Sequence, residues 1–166
     1  KYNFLKQTHE LVNLSSEELL SLEKPEVNYG IGWSRGKENY ESVPDDKKGS
    51  FYAKLHQYNE VYNKNNPYKF GSETYKVDKS KLKNKDINIW PKSIPSLENN
   101  FHAIGNQMRS IGIILSDLID NFIKGEYSSY SVNMGDVIRD SDTNTGRLLH
   151  YYPRGENTVK PGEMWC

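Results

Sequence analysis

Cysteine, histidine and apolar residues are all scarce in this chain. One cysteine in 166 residues, Cys166, excludes an internal disulfide framework and suits a reducing compartment, so a cytoplasmic location is expected. Only four histidines occur, His9, His56, His102 and His150, none with a second histidine or a carboxylate two positions on. No zinc site is therefore readable from neighbouring ligands, and neither a phosphate loop nor a dinucleotide fingerprint is present. Charge of one sign is also lacking. Lys+Arg and Asp+Glu stand at 22 each, which gives no reason to expect a nucleic-acid or anionic-membrane partner. The lysines at 79, 81, 83 and 85 lie between Asp78 and Asp86 and read as a solvated loop. No apolar run approaches the roughly 20 residues that span a bilayer, and the opening residues do not read as a secretory leader. With 35% hydrophobic residues and a mean hydropathy of −0.85, the chain has few apolar groups with which to close a core unaided.

Aromatic residues work against a disordered reading. Twelve tyrosines and three tryptophans are more than such chains carry. Residues 2–13 place Leu5, His9 and Val12 on one helical face, and Ser15 with Glu18 forms a capping-box pattern before a second helix that Pro25 ends. Residues 26–51 read as a long loop, and the polar stretch 58–89 carries turns at Asn65-Asn66-Pro67 and Phe70-Gly71-Ser72. Between Pro95 and Gly125, Leu97, Phe101, Ile104, Met108, Ile111, Leu115, Leu118 and Phe122 alternate spacings of four and three. That stripe predicts one helix over about 96–124, roughly 40 Å long, capped by Ser96 and ended by Gly125. Ile114 and Ile119 make the stripe wider than a coiled-coil seam, so a core-facing scaffold helix is expected. Gly105 and Gly112 beside it predict close approach of a neighbour. Residues 126–143 read as one short irregular helix and a loop, residues 147–152 as a strand, and 51–53 as a second short strand.

Four strings carry more information than their composition: Gly32-Trp33-Ser34-Arg35-Gly36-Lys37-Glu38, Lys48-Gly49-Ser50-Phe51-Tyr52-Ala53, Asn88-Ile89-Trp90-Pro91, and Arg147 through Pro153. In this order and at these separations they resemble the isopenicillin N synthase-like family of non-haem iron, 2-oxoglutarate-dependent oxygenases. The resemblance spreads over nearly the whole chain. It implies a mainly helical α+β unit with a few short strands, the helical front part of a double-stranded β-helix (jelly-roll) oxygenase. Residues 1–166 would form a single incomplete domain: helices in 1–24, long loops and short elements in 25–95, the scaffold helix at 96–124, and the first jelly-roll strand at 147–153. Trp165-Cys166 matches the start of a family string that runs on to the His-x-Asp metal motif. The chain is accordingly expected to be a segment of a longer protein and not catalytic by itself. Catalytic and metal-ligating residues are expected to be absent from it, with Fe(II) and 2-oxoglutarate implied for the complete protein.

What the resemblance leaves to this chain is one wall of the site. Tyr152 matches a family tyrosine that approaches the cosubstrate or substrate, and its phenol can donate to a carboxylate. His150 stands where many relatives carry asparagine, and can still donate one hydrogen bond. Equally, one of Tyr151 and Tyr152 packs in the core. Arg147 either pairs with a substrate carboxylate or flanks the strand as a surface charge. Tyr29, Trp33 and Ser34 either edge the substrate pocket or anchor a surface loop, and Ser50 and Tyr52 carry the same two readings. The partners implied are a small-molecule substrate and the missing C-terminal jelly roll. A second reading from the stripe alone is a non-catalytic helical module that docks a partner through Leu97–Phe122.

Overall fold

In the computed structural model of the chain, the described residues are 2–37, 39–40, 43–55, 87–141 and 143–153. His56, the lysines at 79–85, the turns at 65–67 and 70–72, and Trp165-Cys166 lie outside them. Helix α1 (Tyr2–Val12) buries Gln7, Leu11 and Val12, while Leu5 and His9 are exposed. Its inner face is thus rotated from the Leu5–His9–Val12 line expected from spacing. At the start of α2 (Ser16–Ser21), the Ser15 hydroxyl accepts the Glu18 amide at 3.2 Å, half of the predicted capping box. The other half is diverted: the Glu18 carboxylate accepts from the Ser93 hydroxyl at 2.6 Å and the Ser93 amide at 3.0 Å. It thereby ties α2 to the segment ahead of the long helix, and these two bonds hold its carboxyl below the usual range. Helix α2 stops before Pro25, which instead opens a 3-10 turn, Pro25–Val27.

The predicted 26–51 loop contains several strands. β1 (Gly32–Arg35), the small β2–β3 hairpin (Asn39–Tyr40 with Val43–Pro44) and β4 (Lys48–Lys54) all fall in or at the end of it. β4 extends the short strand expected at 51–53, and β5 (Thr145–Tyr151) starts two residues earlier than expected. β1, β4 and β5 form an antiparallel sheet in that order, with Trp33 opposite Phe51 and Phe51 opposite Leu148. Side chains alternate across it. One face carries Trp33, Phe51, Ala53 and Leu148 toward the helices, and the other carries Ser50, Arg147 and Leu149. Helices take about half of the described residues.

Helix α3 runs Leu97–Glu126, past Gly125, and ends where the Tyr127 amide donates to the Ile123 carbonyl at 2.8 Å. A glycine stops a helix when the chain must turn left-handed there, and here it does not. Ser96 makes no capping bond; its hydroxyl accepts from the Gln7 amide of α1 instead. The first turns of α3 carry the core. Leu97 and Phe101 are buried with Leu11, Leu22, Trp33, Phe51, Ala53 and Leu55. Phe101 stands edge-on to Trp90 at 5.4 Å, Phe4 at 6.4 Å and Phe51 at 6.5 Å. Gly105 provides the predicted close approach, because a Cβ there would sit 2.3 Å from Leu55 Cδ2.

From Met108 onward most of the stripe is uncovered. Met108, Ile111, Leu115, Leu118, Ile119 and Phe122 are between 44% and 70% exposed. The distal half of α3 packs through a different face, where Ile113 and Asp120 are buried beside α4 (Met134–Asp140). There the Arg139 guanidinium bridges Asp117 at 3.0 Å and also meets Asp136. The Asp120 carboxylate accepts from the Tyr130 hydroxyl at 2.7 Å and the Gly135 amide at 3.4 Å. Burial works to raise the Asp120 carboxyl. The Tyr130 hydroxyl, the Gly135 and Met134 amides and the Lys124 charge outweigh burial and hold it below the usual aspartate value. A lowered folded value stabilises above the unfolded pKa, and the contribution disappears as pH falls through the folded value. Acidification below about pH 4, the ordinary aspartate range, is therefore expected to release α4 from α3, and Tyr130→Phe should shift that release to higher pH. Tyrosine fluorescence and circular dichroism against pH would show it.

Candidate functional site on the sheet

Ser34, Ser50, Tyr52 and Arg147 come together on the outer face. Ser34 is opposite Ser50 and Tyr52 is opposite Arg147. One Arg147 Nη donates to the Ser50 hydroxyl at 2.8 Å, and its guanidinium lies 4.8 Å from the centre of the Tyr52 ring. Ser34 and Ser50 are buried in this arrangement although Arg147 is exposed. A shallow dent with no enclosed volume runs along Ser34, Arg35, Gly36, Asp45, Lys48 and Ser50. Lys48 is held to Asp45 at 3.5 Å.

Trp33, His150 and Tyr152 lie on the opposite, inner face. The sheet thus divides the candidate residues between its two sides. His150 is opposite Gly49, and the imidazole and Tyr152 ring meet edge-on at 4.7 Å. Tyr152 is fixed by its amide, which donates to the Lys47 carbonyl at 2.8 Å. Its hydroxyl is buried and has no hydrogen-bond partner. Above the ring lies Arg35, its Cζ 3.7 Å from the centroid. Sequence reasoning passed over Arg35, although it sits inside the first distinctive string. The signal available was register: Arg35, like Trp33, is two positions along one strand, so both belong to one face.

Gly49 makes the cluster possible. A Cβ at this position would lie 2.5 Å from Trp33 Cη2 and 3.3 Å from Tyr152 Cε2. Gly49→Ala is expected to displace the Trp33 ring and cost about 1–3 kcal/mol, read as a shift in tryptophan emission together with a lower urea midpoint. Tyr29 belongs to neither group. It takes a left-handed φ of 56° in the turn after the 3-10 segment. Its ring lies 5.4 Å from the Lys37 ammonium, which also bridges Glu23 at 3.1 Å.

Gly32-Trp33-Ser34-Arg35-Gly36 has the Gly-x-Ser-x-Gly spacing of a nucleophile elbow, but the geometry is different. An elbow serine projects from a sharp strand-to-helix turn, whereas Ser34 is buried within β1, opposite Ser50. Among the described residues no three of His, Cys, Asp and Glu converge on a position that would hold a metal ion, and no helix is long and apolar enough to cross a membrane. No family model, curated protein or solved structure matches the chain.

Proposed function

We propose that this chain is the helical front part of an isopenicillin N synthase-like protein, an Fe(II)- and 2-oxoglutarate-dependent oxygenase that acts on a small organic substrate when complete. One observation carries the reading. The four strings that support the resemblance are far apart in sequence yet fold into one unit: three of them are the strands β1, β4 and β5. The fourth caps their inner face, with Trp90 5.5 Å from Phe51 and the Asn88 amide group bonded to both the amide and carbonyl of Lys54. In this reading the chain contributes a wall rather than the catalytic centre. The iron ligands do not fit onto the described residues, where no metal-binding group of three is found. Tyr152 and His150 would present donors to 2-oxoglutarate, and Trp33 would exclude water behind them.

The uncovered distal stripe on α3 suits a missing jelly roll, and it equally favours a second reading, a non-catalytic module that docks a partner helix there. The natural gene product separates them. An intact mass well above 19.2 kDa, together with Fe(II)-dependent release of succinate from 2-oxoglutarate, is the expected result. A natural product of 19.2 kDa that forms a discrete dimer would replace the oxygenase reading with the docking one. A longer product inert with Fe(II) and 2-oxoglutarate would overturn the oxygenase reading.

A further inference from the structure

We propose that the outer edge of β5 is a docking surface for β5 of a second copy of this chain, paired antiparallel about a twofold axis at Leu148. The open edge follows from register. The Tyr152 amide donates to the Lys47 carbonyl and the Leu55 amide to the Asn144 carbonyl, so the even-numbered residues turn their backbone groups toward β4. In an antiparallel ladder the alternate residues turn theirs the other way. The amides and carbonyls of Thr145, Leu149 and Tyr151 therefore face away from the sheet, and no other described residue bonds to them. All three residues are exposed, Leu149 by 40% and Tyr151 by 58%.

The two edges of the sheet differ. β1 is four residues long, and the end of α2 closes it off. There the Leu22 carbonyl takes the Trp33 amide at 2.9 Å, and Glu23 forms a β-bridge with Gly32. β5 runs seven residues in unbroken register, with no proline, bulge or lysine, the devices that ordinarily blunt an exposed edge. Its charged side chain, Arg147, reaches back over β4 to the Ser50 hydroxyl at 2.8 Å rather than across the edge.

A second β5 suits this edge for reasons of charge and register. Centred on Leu148, the antiparallel pair overlaps along the whole strand. It joins Thr145 to Tyr151 of the second copy, and Arg147 to Leu149 of the second copy. Cross-strand neighbours are then compatible: a β-branched residue meets an aromatic ring, an arginine meets a leucine, and Gly146 leaves room for the opposing imidazole of His150. Moving the axis to Arg147 would set two arginines face to face. Moving it to Leu149 would set Thr145 against Pro153, which has no amide to give. The twofold pair also closes, because it consumes both open edges and leaves only the covered β1 edges at the ends of one continuous sheet. This inference rests neither on the oxygenase reading nor on the α3 stripe.

The test is sedimentation of the 166-residue chain over a range of concentrations, with hydrogen exchange of the β5 amides read by NMR. A concentration-dependent dimer is expected, with the Thr145, Leu149 and Tyr151 amides protected only in the dimer. Leu149→Pro should raise the dimer Kd about tenfold or more, because symmetry removes the bond in both halves. It should leave the urea midpoint of the dilute monomer nearly unchanged, since that amide faces away from β4. A charge comparison keeps the test open should proline disturb the strand. Leu149→Lys sets a like charge against Arg147 of the second copy and should weaken the dimer more than Leu149→Glu, which sets an opposite one. Phe122→Ala should leave the dimer intact, which separates this edge from a contact through the α3 stripe. A chain that stays monomeric up to about 1 mM, or a dimer in which those amides stay unprotected, would overturn the proposal. So would a dimer lost on Phe122→Ala but kept on Leu149→Pro, or equal effects of lysine and glutamate at Leu149. An oxygenase assay does not read this edge, so the two proposals fail separately.

Discussion

Replacing Phe101 by alanine is expected to destabilise the fold by about 3–5 kcal/mol, the usual cost of removing a fully packed aromatic ring. Phe101 is the point at which every layer meets. It touches the aromatic rings of Phe4 on α1, Phe51 on β4 and Trp90 in the segment before α3. It also fills the space left by Gly146, where a Cβ would lie 2.5 Å from its Cζ. The gap could not collapse easily, because the strand on one side and the helix on the other are held by backbone hydrogen bonds. The same substitution three heptads along the same helix provides the control. Phe122 is 70% exposed, so Phe122→Ala should change stability by no more than about 0.5 kcal/mol. Urea unfolding followed by circular dichroism measures both. Comparable losses at the two positions would mean that the distal stripe is buried in solution, by self-association or otherwise.

The second large effect is expected at Gly32. Its φ of +81° lies where side chains are strained, and a Cβ would fall 2.0 Å from the Leu22 carbonyl oxygen. That oxygen accepts the Trp33 amide at 2.9 Å, and a β-bridge between Glu23 and Gly32 lies alongside. Alanine would therefore push β1 away from the end of α2 and break the bond that starts the sheet. Left-handed strain alone costs about 1–2 kcal/mol, and the clash with rigid backbone adds to it, so a loss of about 3 kcal/mol or more is expected. Gly36→Ala is the comparison. It shares a positive φ, 65°, but its nearest neighbour would be 3.9 Å away, and its cost should stay near the strain alone. Thermal melts of the two variants separate strain from clash.

How far the sequence disclosed this structure depended on whether the information was local. The stripe from Leu97 to Phe122 announces α3, because a helix makes its own hydrogen bonds and its period is visible in one stretch. β5 was visible too, as Leu148 to Tyr152 form a compact aliphatic and aromatic run. β1 was not. Gly-Trp-Ser-Arg contains one good strand former, and its pairing depends on β4, whose residues Gly49–Tyr52 lie opposite it more than a dozen positions along the chain. The Glu18 carboxylate shows the same limit at the level of one side chain. Its spacing from Ser15 is that of a capping box, but Ser93, 75 residues away, takes it. For the candidate site, the family resemblance pointed to Tyr29, Trp33, Ser34, Ser50, Tyr52, Arg147, His150 and Tyr152 without saying which shared a face. That depends on cross-strand register, and register also brought Arg35 onto Tyr152. The stripe carried a further ambiguity. Periodicity marks the side of α3 that is apolar, and it does not say how much of that side is covered.

Helix α3 is continuous over 30 residues, yet its two ends rest on different surroundings and are expected to open independently. The first turns are locked by Leu97 and Phe101 into the aromatic core, so their amides can exchange with solvent only when that core opens. The last turns rest on Ile113, Asp120 and α4, a contact built largely from polar bonds at Asp117, Asp120 and Arg139. Local opening there disturbs neither the sheet nor the core. One rod would thus show two protection levels, stepping down near Met108, where the stripe leaves the core. The end expected to open first is also the end whose apolar side is bare, so whatever covers that side would raise the lower level toward the upper and turn two units into one.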